Sequence, residues 1–343
     1  MRTAEFDYDL PPELIAQTPI EPRDAARLLV VHRQTGDLEH RVFVDLPDYL
    51  HHPDLLVCND SRVIPARLRG RKASGGRVEV LLLTQRDART WEALVRGKGL
   101  RPGARIVIED AAGASVAAAT VVAETAEGAR LLAFDRELAP LLPQVGEVPL
   151  PPYIHEPLAD PERYQTVYAR VAGSVAAPTA GLHFTPRLID RLQRLGVDFA
   201  FVTLHVGLGT FRPVQAERIE DHRMHSEWGE LPPSVAGRIV ATRAAGGRCV
   251  AVGTTAVRVL ETAAQRSSGA ALAPYAGWTD LFIRPGFRFQ VVDALITNFH
   301  LPRSTLLMLV SAFAGQELIR RAYAEAIRLR YRFFSFGDAM LIL

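Results

Sequence analysis

Five histidines fall in loop-like stretches where an imidazole could work: His183 in AAPTAGLHF, His205 in TLHVGLG, His222 and His225 in IEDHRMHSE, and His300 in NFHLP. Imidazole is the side chain whose charge ordinarily changes near neutral pH, so these are candidates for proton transfer. Glu220, Asp221 and Glu227 lie close in sequence to His222 and His225 and could orient a ring or hold its proton. A single histidine at a turn is more often a hydrogen-bonded structural group; the weight rests on several occurring together. His222-x-x-His225 is also half of a zinc motif that His183 or His205 could complete, although no HExxH pattern occurs. A second kind of chemistry is offered by Gly253-Thr254-Thr255, which follows an apolar run and opens a helix. The free N–H groups of such an end bind carboxylate or phosphate, and Arg258 could add charge; the plainer reading is an ordinary cap. Neither GxxxxGK[ST] nor GxGxxG is present, so no nicotinamide cofactor is expected.

These groups must be held by regular elements. Thr185 as N-cap, Pro186 at the first helical position, apolar Leu188, Ile189, Leu192 and Leu195 on one stripe, and Gly196 as a stop predict a helix. The following strand puts Val197, Phe199, Phe201, Thr203 and His205 on one face and carries His205 to its C-terminal end, where ligands bind in open α/β sheets. Upstream, residues 28–32 and 38–44 read as strands around the turn Gln34-Thr35-Gly36-Asp37. Residues 54–58 read as a buried strand, followed by Asn59, Asp60, Ser61 and Arg62 as turn or pocket groups. Between 64 and 149 helical periodicity vanishes, and short β-rich runs at 77–83, 91–95, 104–108, 116–122 and 129–134 alternate with glycine turns, including Glu127-Gly128. The proline-rich PLPPYI then leads back into alternating helix and strand: helices at 234–245, from Gly253 through 264, from Ser304 and from Gln316; strands at 248–252, near Leu281, at 291–296 and at the C-terminus. The expected fold is an α/β domain with a mostly parallel sheet, made of 1–63 and 150–343, carrying an inserted all-β small barrel at 64–149. In the aromatic tail YRFFSFGDAM, Asp338 is the residue to watch.

With 343 residues and 48% hydrophobic side chains the chain can bury a large core, and no apolar run is long enough to span a membrane. The first residues lack the apolar core of a secretion signal. Cys58 and Cys249 sit in apolar runs, as buried free thiols of a cytoplasmic protein would. Nothing calls for more than a monomer. Net charge is only +2, but residues 62–105 hold twelve Arg or Lys against three acids, leaving −7 for the rest. Nearly all of this positive charge is arginine, the side chain that binds phosphate bidentately and stacks on bases, so a nucleic-acid surface is expected there. The rival is a general arginine bias on solvated strands.

AAPTAGLHF, FVTLHVGLGTF, IEDHRMHSE, AVGTTAVRVLE, TNFHLPRSTLLMLVSAFAG and YRFFSFGDAM, with NDSRVIPARLRGRKASGG and PLPPYI, closely resemble the S-adenosylmethionine:tRNA ribosyltransferase-isomerase family of queuosine biosynthesis. The resemblance runs along essentially the whole chain. It implies an α/β domain with an inserted β-barrel, and transfer of the ribosyl part of S-adenosylmethionine to an aminomethyl-7-deazaguanine (preQ1) base at the tRNA wobble position. The products would be epoxyqueuosine in tRNA, adenine and methionine. S-adenosylmethionine is then a co-substrate, tRNA the partner, with no metal, prosthetic group or membrane. On this reading His183 or His205 is the base, and Asp221 with His222 the acid or its orienting partner. Thr179, Gly181, Phe184, Gly207, Thr210, Phe211, Gly253, Thr254, Thr255, Arg258, Asn298 and His300 bind substrate, with Phe184 or Phe211 facing the sulfonium. Arg62, Arg67, Arg69, Arg71 and Lys72 grip tRNA. Glycine-lined corners should bring the imidazoles to one cavity. Two other readings compete: a non-catalytic RNA-binding protein, and a zinc-dependent hydrolase using His222 and His225.

Overall fold

The computed structural model describes residues 1–125, 128–207, 214–269 and 271–343. The chain forms two compact units, Met1–Ser61 with Pro152–Val171 and Ala177–Leu343, and Arg62–Pro151 with Ala172–Ala176.

The first unit is built on a nine-stranded sheet: β1 Arg27–Val31, β2 Leu38–Val42, β3 Leu55–Asn59, β4 Asp198–Leu204, β5 Glu227–Leu231, β6 Cys249–Val252, β7 Tyr275–Thr279, β8 Ala294–Asn298 and β9 Ala339–Ile342. Their order across the sheet is β7-β5-β4-β3-β6-β8-β9-β1-β2. The four central strands β4, β3, β6 and β8 are parallel, as is the β9–β1 pair. The other pairings are antiparallel, so the sheet is mixed rather than mostly parallel. Element alternation in a sequence does not count traverses. Between β8 and β9 the chain forms two helices, α4 Thr305–Ala314 and α5 Gln316–Arg328, and two traverses return it to the end it left. The strand expected near Leu281 lies earlier, at β7.

Period-two alternation puts successive side chains of each strand on opposite faces. On one face Leu55, Val57, Ala200, Val202, Leu204 and Leu295 pack with α2 Pro233–Ala244, α3 Thr254–Arg266, α4 and α5. On the other Leu56, Cys58, Phe199, Val250 and Ile296 pack with α1 Pro186–Arg194 through Leu188 and Leu192. The predicted cap of α1 is present: Thr185 Oγ1 accepts from Leu188 N at 3.2 Å. Both thiols are buried and unbridged, and burial pushes Cys58 up to about 12. Asp338 is a buried latch, accepting from Arg27 N at 2.9 Å and Arg332 N at 2.7 Å. No helix among the described residues is long and apolar enough to cross a membrane.

The second unit is a closed six-stranded antiparallel barrel. Arg67–Lys72, Arg77–Gln85, Thr90–Arg96, Arg130–Phe134, Ser115–Glu124 and Arg105–Glu109 follow one another round it, and the last pairs back to the first. Closure removes the open edges that a six-stranded sheet would expose. The strand Arg67–Lys72 lacks an apolar run: Leu68 and Gly70 face in, while Arg67, Arg69 and Arg71 occupy the alternate positions. The alternation is legible only once it is known that a glycine can be an interior residue. At Gly70 a Cβ would stand 2.4 Å from the Val107 carbonyl oxygen of the closing strand.

The barrel also revises the charge argument. Arg69 pairs with Glu147 at 2.6 Å, Arg71 with Glu109 at 2.8 Å and Arg86 with Glu92 at 2.5 Å, and Lys72 donates to the Lys98 carbonyl at 2.9 Å. Over the whole of 62–151, fourteen Arg or Lys meet ten acids, a net +4. The +9 of a shorter window loses carboxylates that the strands bring back beside the arginines. Gly70→Ala is expected to lower stability by about 1–3 kcal/mol, with faster hydrogen exchange in 69–72 and 106–109 as the check.

Candidate active site

The C-terminal ends of β4, β6 and β8 open on a partly enclosed cleft. Three elements supply its polar groups. After β6, Gly253 (φ +88°) turns the chain into α3 without a side-chain cap, so Thr254 and Thr255 line the cleft at an uncapped helix N-terminus. The Thr255 Oγ1 is buried there with no hydrogen-bond partner. After β8, Thr297, Asn298, Phe299 and His300 form the facing wall. Thr179 Oγ1 donates to Asn298 Oδ1 at 3.1 Å, and Asn298 Nδ2 donates to the Phe334 carbonyl at 3.1 Å. His300 Nε2 is 2.8 Å from Thr297 Oγ1, and burial pulls this imidazole down to about 3, so it is neutral at physiological pH. The third wall is Tyr153, Phe334 and Ser335, with the tyrosine hydroxyl 2.7 Å from Ser335 Oγ. No described lining residue carries a formal charge.

Of the sequence-selected residues, Thr179, Gly253, Thr254, Thr255, Asn298 and His300 meet on this cleft. The other histidines do not line it. His183 is buried against Phe43, with Nδ1 3.1 Å from the Ala180 carbonyl and Nε2 2.9 Å from the Gly337 carbonyl. Burial lowers its pKa, while the two carbonyls pull the other way. His205 stands one residue before Val206, which does line the cleft; its ring stacks on Trp228, its Nδ1 is buried without a partner, and burial lowers its pKa against the opposing charge of Asp60. His222 packs edge-on to Phe282, its pKa lowered by burial and then by His225, and Asp221 is exposed. Among the described residues no group of three or more His, Cys, Asp or Glu could hold a metal ion, so the His222–His225 pair finds no third ligand there.

Three further expectations meet a different geometry. Arg258, expected to add charge at this helix end, is in the second turn of α3 and forms a buried ion pair with Glu227, whose other oxygen accepts from Gly207 N at 2.8 Å. Phe184 is wholly buried, edge-on to Phe43 and Phe199, and does not line the cleft; of the aromatic residues that do, Phe299 is likewise wholly buried, which leaves Tyr153 and Phe334. Gly181 is required by packing: a Cβ would fall 2.1 Å from the Tyr168 hydroxyl. Thr210 and Phe211 lie outside the described residues. Past β3, Asn59 is turn chemistry, its Oδ1 accepting from Ser61 N at 3.0 Å and Leu204 N at 3.1 Å. Asp60 is buried and accepts from Thr203 Oγ1 at 2.8 Å and Arg170 Nη2 at 2.6 Å. Sequence reasoning missed Tyr153, Thr297, Ser304 and Ser335. The available signals were a tyrosine closing a proline run and a lone hydroxyl inside an aromatic tail.

With the geometry in hand, comparison with known proteins is direct. A family described as Queuosine biosynthesis protein matches residues 3–342. A curated relative from Symbiobacterium thermophilum, S-adenosylmethionine:tRNA ribosyltransferase-isomerase, is 60% identical over 100% of both chains. One from Thermotoga maritima with the same name is 54% identical, again over 100% of both. A crystal structure titled S-adenosylmethionine tRNA ribosyltransferase, from Thermotoga maritima, is similar with a TM-score of 0.58 and 45% identity, covering 99% of this chain and 100% of that one. The chain belongs to the queuosine biosynthesis protein family. It is a transferase-isomerase.

Two outcomes follow from the site's electrostatics. Arg258→Ala leaves Glu227 buried without its partner and is expected to cost about 3–5 kcal/mol in urea denaturation. His300 has a folded pKa of about 3 against an ordinary 6.5, so the unfolded chain takes up the proton first as pH falls. Its contribution is complete above pH 6.5 and is lost as pH drops toward 3. Melting curves between those limits should show a shallower decline for His300→Asn than for wild type.

Proposed function

We propose that this protein transfers and isomerises the ribosyl moiety of S-adenosylmethionine onto the aminomethyl group of a preQ1 base at the tRNA wobble position. The products are epoxyqueuosine-tRNA, adenine and methionine, and the enzyme works as a cytoplasmic monomer without a metal. The observation that carries the reading is the cleft's uncharged lining. S-adenosylmethionine carries a carboxylate, an α-ammonium and a sulfonium, so much of its charge is balanced within the ligand and an uncharged lining that offers dipoles and aromatic surface can hold it. The uncapped N–H groups of α3 and the orphan Thr255 hydroxyl suit the carboxylate. The rings of Tyr153 and Phe334 suit the cation.

The reaction needs a base that takes a proton from the ribose carbon beside the sulfonium, an acid for the departing adenine, and a neutral amine to attack. His205 suits the first role. Burial favours its neutral form, its Nδ1 has no partner, and it stands beside Val206 of the cleft wall. His183 holds the 179–183 turn in place through its two carbonyl contacts. Tyr153, Thr297 and Ser335 add hydroxyls that can follow charge as it moves from sulfur to adenine.

For tRNA, Arg62, Arg67, Arg69, Arg71 and Lys72 of the barrel unit supply cations. The Arg69–Glu147 pair is solvent-exposed on both sides, and exposed pairs are weak enough for phosphate to compete. Incubation with S-adenosylmethionine and preQ1-bearing tRNA, followed by chromatography, should yield free adenine; none would end the reading. His205→Ala is expected to lower turnover at least about 100-fold, and a change of a few-fold would remove it from proton transfer. Replacing Arg67, Arg69 and Arg71 together should flatten the salt dependence of tRNA binding.

A further inference from the structure

His205 is the first of three rings that the sheet sets in one row. Antiparallel register puts Thr203 opposite Glu230 and Leu204 opposite Gly229, so His205 faces Trp228, and its N–H donates to the Trp228 carbonyl at 3.0 Å. The next pairing puts Trp228 opposite Trp278. Directly opposed residues of antiparallel strands project to the same face. The opposite face of β5 and β7 is the buried one, holding Gly229, Leu231, Tyr275 and Thr279. The row therefore runs across the other face, and exposure grows along it: His205 and Trp228 are half-buried, and Trp278 is 45% exposed. Of the five large apolar side chains exposed among the described residues, Trp278 alone is aromatic. The imidazole and the Trp228 ring are already near-parallel, with centroids 5.7 Å apart and 22° between planes.

We propose that Trp228 and Trp278, in the row that His205 heads, form a stacking platform for single-stranded RNA, taking the anticodon-loop nucleotides that flank the target base. The inference rests on the ribosyl-transfer reading. A base worked on by an enzyme must leave its stack, and its neighbours then lose a stacking partner. Aromatic side chains on a sheet face replace that contact for any base. The row lies at the C-terminal ends of β4 and β7, the end of the sheet at which β6 and β8 meet the cleft. One flank carries a guanidinium group suited to a phosphate backbone: Arg170, 70% exposed beside Asp60, lies over the Phe201 ring of β4. Glu230 and Thr203 occupy the next row, so the ring row itself holds no carboxylate.

Titrating the full-length protein with an anticodon stem–loop RNA, without S-adenosylmethionine, should quench tryptophan fluorescence. Trp91, the third tryptophan, is buried in the barrel and reports little. Trp278→Ala and Trp278→Leu should each weaken RNA binding about tenfold, while Trp278→Phe, which keeps a π face, should retain most of it. Because leucine keeps the apolar area, a loss with leucine and not with phenylalanine separates stacking from folding. Affinity for S-adenosylmethionine should be unchanged in all three. RNA affinity of Trp278→Leu within about twofold of wild type would overturn the platform. So would a change of oligomeric state in place of a change in RNA affinity, which would make the row a contact between copies. Adenine release by the wild type is read separately. Its absence together with Trp278-dependent RNA binding sinks the reaction and leaves the platform standing.

Discussion

The central strands β4, β3, β6 and β8 are apolar on both faces, and this burial governs where chemistry can occur. Leu55 and Val57 meet one core while Leu56 and Cys58 meet the other, so neither face of the sheet's middle has room for a polar ligand. Polar groups can be accommodated only where the strands end. At their carboxyl ends the backbone turns away, and Gly253, Asn298 and Val206 arrive at one cleft from β6, β8 and β4. The same constraint explains the character of the buried ions nearby. Glu261 on α3 is pushed up by burial, yet its carboxylate receives the N–H groups of Gln290, Val291 and Val292, which guide the chain into β8. Arg258 and Glu227 neutralise one another one turn along α3 from the threonines that line the cleft.

Neutral walls follow from this arrangement. A fixed charge in a low-dielectric cleft must be paired or moved to a neutral form. The helix N-terminus and aromatic faces offer partial charges of both signs without a desolvated ion.

The barrel solves a different problem. Its strand Arg67–Lys72 carries a basic residue at every second position and a glycine where the closing strand presses closest. Closing the sheet leaves no strand edge open to pairing, and the outward positions let Arg69 and Arg71 meet the carboxylates of Glu147 and Glu109. The resulting face is less positive than its sequence, but its pairs are exposed and exchangeable.

The sequence by itself determined the fold class, the helix from Thr185 to its glycine stop, most strands of both units and the family to which the chain belongs. These rest on local signals: period-two and period-3.6 patterns, capping residues and long motif strings. It also placed Gly253-Thr254-Thr255 and His300 among candidate ligands, because glycine- and proline-bounded turns after buried strands leave polar groups at strand ends, and the family resemblance added Asn298. Only the tertiary structure decided that β9 runs antiparallel to β8, that Glu227 takes Arg258 away from the cleft, that Phe184 is core, and that Trp228 and Trp278 align with His205. Each of these depends on a partner distant along the chain. The spacing of one stretch cannot encode which side chain another stretch will bring opposite it, because register and packing are settled by the whole buried surface at once.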